Sequence, residues 1–274
     1  MKSIIRLSGI GKIYHGKKTS TEALRDISLE AAPKEVLGIM GPSGCGKTAL
    51  LKMIAGIEPC TSGNLTLFGT DCTGHTPQNI KRKMGFIYQD SNLLPWRSVE
   101  ANLRFPLEIF GLQKQEEYTS QIAKALEIVG LSDYRKALPQ ELSGGMMQRV
   151  SIARSLVFNP EVLLMDQPFG ALDAITRKKL RFDFMKIFEQ SQKTIVIVTN
   201  SIDEALMFSN RIYIVSEAPG TIQEVVDVDI PHQDRPEDIT TDARFNALRA
   251  KMIGIIKKQY ATEKVLMEQE EGMI

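Results

Sequence analysis

Gly41-Pro42-Ser43-Gly44-Cys45-Gly46-Lys47-Thr48 has the types and spacing to hold phosphate, because it reads G-x-x-x-x-G-K-T directly after the apolar run Val36-Leu37-Gly38-Ile39-Met40. Glycines at this density free the backbone to turn successive N–H groups inward around an anion. Thr48-Ala49-Leu50-Leu51-Lys52-Met53-Ile54 then begins a helix whose positive end points at the same place. Lys47 supplies a point charge, and the Thr48 hydroxyl is placed to hold Mg²⁺. A chance glycine turn is the alternative, but the strand before and the helix after favour nucleoside triphosphate binding. Cys45 reads as a small residue of the loop rather than as a working thiol.

Two further stretches can serve that chemistry. Leu142-Ser143-Gly144-Gly145 is a polar, glycine-bearing turn before a helix with Val150, Ala153 and Leu156 on one face, stopped at Asn159-Pro160. It is either a second anion-binding helix start or a plain N-cap. Glu161 to Asp166 is an apolar run ending in an acid, as in a buried parallel strand whose carboxyl end opens into a ligand crevice, where the carboxylate would meet Mg²⁺. Tyr14 reads as an aromatic in a polar loop, able to stack on a base or to sit half-buried as an ordinary tyrosine.

These residues need elements to position them. Ser3 to Leu7, Ala23 to Leu29 and Gly63 to Phe68 read as short strands, some antiparallel. Met84 to Tyr88 is another strand, ending at Gln89-Asp90. Thr194 to Thr199 is a second buried strand with Asn200 just beyond it, and Arg211 to Val215 a third. From about Ser91 to Leu156 the pattern turns helical, with Ile122, Ala125, Leu126 and Val129 on one face and Gly130 able to end that helix. The pattern predicts an α/β fold: a core with a mainly parallel sheet, an antiparallel β part and an inserted helical part at about 91–156. The main domain is expected over 1–220. An extension over 221–274 should carry a terminal helix with Phe245, Leu248, Met252, Ile255 and Ile256 facing core or a dimer partner rather than a membrane.

Composition excludes several classes. With 274 residues the chain can bury its own core, and 34 basic against 33 acidic residues give no field for a nucleic-acid backbone. Cys45, Cys60 and Cys72 fit neither a disulfide framework nor a metal site. No apolar run approaches the ~20 residues of a membrane span, and the N-terminus lacks a signal-peptide core, so a membrane role would come through a partner.

With the phosphate loop, Gln89, Leu142-Ser143-Gly144-Gly145-Met146-Met147-Gln148-Arg149 and Met165-Asp166 in this order, the chain resembles the ATP-binding subunits of ABC transporters, over roughly Ser3 to Val215. Pro168-Phe169-Gly170-Ala171-Leu172-Asp173 and Leu93-Leu94-Pro95-Trp96 are most similar to the importer branch for nitrate, sulfonates and taurine. The resemblance implies a P-loop NTPase core and a head-to-tail dimer, homo- or heteromeric, closing over two ATP molecules. Tyr14 would then stack on adenine, and Gly41, Ser43, Gly44, Cys45, Gly46 and Lys47 would hold phosphates. Thr48, Gln89 and Asp166 would surround Mg²⁺, and Ser143, Gly144 and Gly145 would reach the ATP of the partner subunit. Asp173 would sit in the loop crossing between subunits. A transmembrane permease, fed by a solute-binding protein, would dock on the helical part at the cytoplasmic face of the membrane.

Three positions depart from the family pattern. Gln167 stands where the family has a glutamate that polarises the attacking water, and Asn200 where it has a histidine contacting the γ-phosphate. An amide orients water but cannot take its proton, and loss of a general base costs ~10²–10⁴ in rate. Ala49 replaces a hydroxyl near the α-phosphate, worth ~1 kcal/mol. ATP binding is expected to survive and intrinsic hydrolysis to be weak. The alternative is a non-hydrolytic ATP-gated clamp paired with a fully equipped subunit. A DNA-maintenance or translation ATPase ranks last, for want of coiled coils or paired cassettes.

Overall fold

Val36–Met40, Val162–Asp166 and Thr194–Thr199 are apolar on both faces, and such strands are stable only where both faces are covered. The computed structural model, which describes residues 3–16, 19–112, 116–170 and 174–271, sets them side by side with every residue buried. In chain order the strands are β1 (Ile5–His15), β2 (Ser20–Ala31), β3 (Val36–Met40), β4 (Ser62–Leu67), β5 (Thr70–Asp71), β6 (Met84–Ile87), β7 (Val162–Asp166), β8 (Thr194–Thr199), β9 (Arg211–Val215) and β10 (Ile222–Asp227). The helices are α1 (Lys47–Ile54), α2 (Gln78–Lys81), α3 (Val99–Ile109), α4 (Glu116–Ile128), α5 (Gly144–Leu156), α6 (Ala174–Ser191), α7 (Ile202–Phe208) and α8 (Ala243–Glu271).

The larger sheet runs β10-β9-β3-β8-β7-β6 and is parallel from β6 to β9, with β10 antiparallel at its edge. The expected parallel core is therefore present. The smaller sheet, β2-β1-β4-β5, is antiparallel throughout. Helices α3, α4 and α5 form a third layer with its own core, in which Val99, Leu103, Ile122, Leu126, Val129, Val150 and Ala153 interdigitate. Gly130 closes α4 at φ +66°, as its position after the apolar face predicts.

Two expectations need correction. Tyr14 lies in a strand, opposite Thr21, and not in a loop, because register shifts after Leu7 let the β1–β2 ladder run on to His15. Leu156 does not share the core of Val150 and Ala153; at the last turn of α5 it packs instead against the core of the larger sheet. That same core receives α8. Phe245 and Met252 are fully buried in it, with Leu248, Ile255 and Ile256 packed alongside, so this face of α8 is core.

Candidate nucleotide site

β3 ends at Met40 and the chain turns through Gly41 to Gly46 into α1. The loop is tight: a Cβ on Gly41 would stand 2.7 Å from the Val215 carbonyl oxygen, and one on Gly46, at φ +95°, 2.6 Å from Leu24 Cδ2. Neither position can be other than glycine without moving backbone or core. Ser43 and Gly44 are exposed at the tip, Cys45 is buried beneath it, and Ala49 is buried in the first turns of α1.

Lys47 is only 4 % exposed, and its Nζ donates to the carbonyl oxygens of Gly41 at 2.8 Å and Pro42 at 2.6 Å. The ammonium is thus folded into the mouth of the loop. Burial pushes its pKa down and that of the neighbouring Cys45 thiol up, so Cys45 stays protonated and inert, as expected of a packing residue.

Asp166, at the end of β7, faces α1. It is 5 % exposed and accepts a hydrogen bond from Thr48, while its Oδ1 finds no partner among the described residues. Burial raises the carboxyl pKa against the pull of Thr48 and Lys47. A buried carboxylate oxygen left without a donor is costly and calls for an explanation. A hydroxyl and a carboxylate with an oxygen to spare form the hard donor set that Mg²⁺ prefers, so these residues fit that ion.

Gln167 follows at φ 43°, a left-handed conformation uncommon for a residue with a side chain. Its N–H donates to Val198 O at 3.0 Å and its carbonyl accepts from Gly170 N at 2.9 Å, and these bonds fix the turn. Asn200, at the end of β8, donates through Nδ2 to Gln167 Oε1 at 3.2 Å and to Ser43 Oγ at 3.1 Å.

A protein-family model described as ABC transporter matches residues 24–170, more than half of the chain, with the loop, the Ser143 turn and Asp166 inside the match. The chain belongs to the ABC transporter family. It is 40 % identical over 94 % of its length, and 93 % of the relative, to an uncharacterized ABC transporter ATP-binding protein of Methanocaldococcus jannaschii. The aliphatic sulfonates import ATP-binding protein of Bacillus cereus is 37 % identical, covering 91 % of this chain and 94 % of the relative. The nitrate import ATP-binding protein of Synechocystis is 36 % identical, with 83 % of each chain covered. Among solved structures, a dimeric bacterial ABC transporter cassette superposes with a TM-score of 0.72 at 32 % identity, over 82 % of this chain and 98 % of that one.

The other expected residues of the ABC cassette fall into two groups. Gln89 follows β6, exposed, with its Nε2 3.6 Å from where a Cβ on Gly170 would stand, beside the Gln167 turn. Tyr14 donates to Glu58 Oε2 at 2.6 Å, and Lys12 Nζ lies 4.9 Å from its ring centroid. Burial and this acceptor push the Tyr14 phenol to about 12, so it stays protonated. Ser143, Gly144 and Gly145 form the other group, at the head of α5 in the helical layer. Ser143 caps the helix by accepting from Met146 N at 3.3 Å, so the plain N-cap role is met while the hydroxyl stays exposed. No hydrogen bond among the described residues joins them to the phosphate loop of their own chain. Asp173 lies outside the described residues.

One supporting group escaped sequence reasoning. Glu204, buried in α7, accepts from Thr199 Oγ1 at 2.6 Å and pairs with Arg181 at 2.9 Å, anchoring the strand end that carries Asn200. Ser201 caps α7 by accepting from Glu204 N at 3.3 Å. The Ser-x-x-Glu spacing at 201–204 is a capping signal visible in the sequence.

Proposed function

We propose that this chain is the ATP-binding subunit of an importer for a small anion, and that its own composite site hydrolyses ATP slowly. The loop backbone and Lys47 would bind the phosphates, Lys47 exchanging two carbonyl partners for phosphate oxygens. Thr48 and Asp166, with Gln89 nearby, would hold Mg²⁺, which when bound offsets the charge of the β- and γ-phosphates. Tyr14 would present the adenine face on which Lys12 does not already sit. The catalytic domain would span 1–220, with 221–274 as its extension.

The observation that carries the slow site is the contact between Asn200 and Gln167. The side chains beyond β7 and β8 are a pair of amides bonded to each other, and neither accepts a proton near neutral pH. Such a pair can orient the attacking water and donate to phosphate, but the proton must leave to water or phosphate itself. Phosphoryl transfer leans mainly on positioning and charge neutralisation, so turnover is slow rather than nil.

Dimerisation is supported by the dimeric cassette that this chain resembles and by the lack, among the described residues, of any hydrogen bond between Ser143 to Gly145 and their own chain's loop. These residues would complete the site of a second ATP-binding subunit, alike or different. A permease docking at the helical layer, where Trp96 is 73 % exposed, would carry the movement into the membrane. No helix among the described residues is long and apolar enough to cross a membrane itself. The sulfonate and nitrate import proteins among the relatives support a small anion as cargo. The same amide pair favours a second reading, a clamp that closes on ATP and opens only when ATP leaves.

Phosphate release at saturating Mg-ATP, by the purified chain beside a Gln167→Glu/Asn200→His variant, tests the slow site. The variant is expected to be faster by ~10² or more, and equal rates would overturn the assignment. Lys47→Ala should lose nucleotide binding in either reading.

A further inference from the structure

Lys34 and Lys193 line a second cavity, at the end of the larger sheet away from the phosphate loop. It measures about 290 Å³, with Met185, Phe188 and Phe208 in its apolar wall and Gln233 at its rim. The elements that build it are the starts of β3 and β8: Lys34 N donates to Thr194 Oγ1 at 2.8 Å, and Val36, the first residue of β3, lies in the wall. α6 contributes Met185 and Phe188, and α7 ends at Phe208, whose carbonyl meets His232 Nε2 at 2.6 Å. The opposite ends of β3 and β8 carry the phosphate loop and Asn200, five or six residues away, roughly 17–20 Å at strand rise.

No Asp or Glu is among the described residues that line the cavity. Glu161, the acid that acts on Lys193, is held by Lys83 at 2.9 Å, and Glu35 is held by Arg211 at 2.9 Å. Lys193 Nζ donates to Asn159 Oδ1 at 2.7 Å and to Pro160 O at 2.6 Å, which fixes its head and leaves a third N–H. Lys34 is exposed and makes no ion pair among the described residues. A concave apolar wall with two lysines lining it and no described acid beside them selects a negative head on an apolar body.

We propose that this cavity is a second ligand site, for a small organic anion with a short alkyl chain, such as an alkyl sulfonate or carboxylate. The chain packs against Phe188 and Phe208 while the head lies between Lys34 and the free N–H of Lys193.

The test is calorimetry on the full chain, in the presence of Mg-ADP, with hexanesulfonate and hexanoate as probes and with hexylamine and inorganic sulfate as controls. Saturable binding is expected for one or both of the alkyl anions and for neither control. Which anion binds more tightly tells sulfonate from carboxylate as the preferred head. Lys34→Glu reverses an exposed charge and should weaken binding by about tenfold or more, and Gln233→Trp, also at an exposed position, should block it. Lys47→Ala, compared with the native chain in the absence of nucleotide, should leave it intact. No saturable binding of either anion, equal binding of hexylamine, binding unchanged in both rim variants, or loss of binding in Lys47→Ala would each overturn the proposal. The last outcome would mean that the anion sits in the phosphate loop.

Discussion

Asn200 Nδ2 lies 3.2 Å from Gln167 Oε1 and 3.1 Å from Ser43 Oγ, so one amide ties the ends of β7 and β8 to the tip of the phosphate loop. The ties are neutral and exposed, and each is worth ~1 kcal/mol at most. They hold Gln167 in place without giving it a base's chemistry.

The first prediction concerns how the two substitutions combine. Gln167→Glu alone should raise phosphate release by most of the ~10² expected of the double variant, since it restores the proton acceptor. Asn200→His alone should gain little, because the group it would assist is missing; residues that act as a unit are not additive. The Gln167→Glu rate should also gain a further acidic limb, beyond any that Asp166 gives the native chain, as the new carboxylate protonates. Steady-state phosphate release from pH 4 to 8 reads both effects. A larger gain from Asn200→His than from Gln167→Glu would show that proton transfer is not what limits the native site.

Asp166 supplies a pH-dependent prediction of opposite signs. Burial raises its pKa above the unfolded value of 3.8, so the folded state binds the proton more tightly. The stability this contributes is present below the unfolded value and is lost as pH rises through the raised folded value. Once charged, the carboxylate is buried with Oδ1 lacking a described partner. Asp166→Asn should therefore unfold at a higher temperature than the native chain at pH 7, by ~1 kcal/mol, and should lose that advantage below the usual carboxylate range. Its Mg-dependent nucleotide affinity should fall. Thermal melts at the two pH values, with and without Mg-ATP, check the pair of signs.

Gly220 links two sheets at the loop. Its N–H donates to Ala23 O at 2.9 Å and its carbonyl accepts from Arg25 N at 2.9 Å, while a Cβ there would run into the Cys45 carbonyl oxygen. Gly220→Ala must therefore displace backbone beneath the phosphate loop, at a cost of ~1–3 kcal/mol. Nucleotide affinity should weaken together with stability, although residue 220 lies beyond the family match and touches no expected ligand. Titration with a fluorescent ATP analogue, beside urea unfolding, separates this from a purely structural loss, in which folded protein would bind normally.

The phosphate loop was legible because its chemistry needs glycine at fixed offsets after a strand, and the buried strands because β3, β7 and β8 are apolar on both faces. Tyr14 was misplaced because bulges carry a strand through Gly9 and Gly11, which read locally as a break. The Asn200–Gln167–Ser43 link could not be read, since it depends on how parallel strands far apart in sequence end side by side. Helix α6 passed unread beneath its charged residues, although Leu180, Phe184 and Phe188 recur at a spacing of four and are all buried. No periodicity announces a buried cation.

Arg235 is that cation. It is buried in the segment between β10 and α8, and its guanidinium donates to the carbonyl oxygens of Leu206, Met207, Ser209 and Ile230 at 2.7–3.1 Å. Three of these carbonyls belong to the end of α7 or just beyond, where helix carbonyls lack partners of their own and a positive charge is favourable. Burial lowers the Arg235 pKa to about 10, still charged near neutrality, and among the described residues carbonyl dipoles offset its desolvation. Arg235→Met keeps much of the volume and strands those oxygens, at ~1–3 kcal/mol for each that water cannot reach. A loss of ~3 kcal/mol or more is expected in urea unfolding, with the β10–α8 segment becoming sensitive to proteolysis first. Because α7 starts directly after Asn200, phosphate release by the folded variant should change as well. An unchanged rate in a destabilised protein would confine Arg235 to holding the segment, and would exclude a role in setting the position of Asn200.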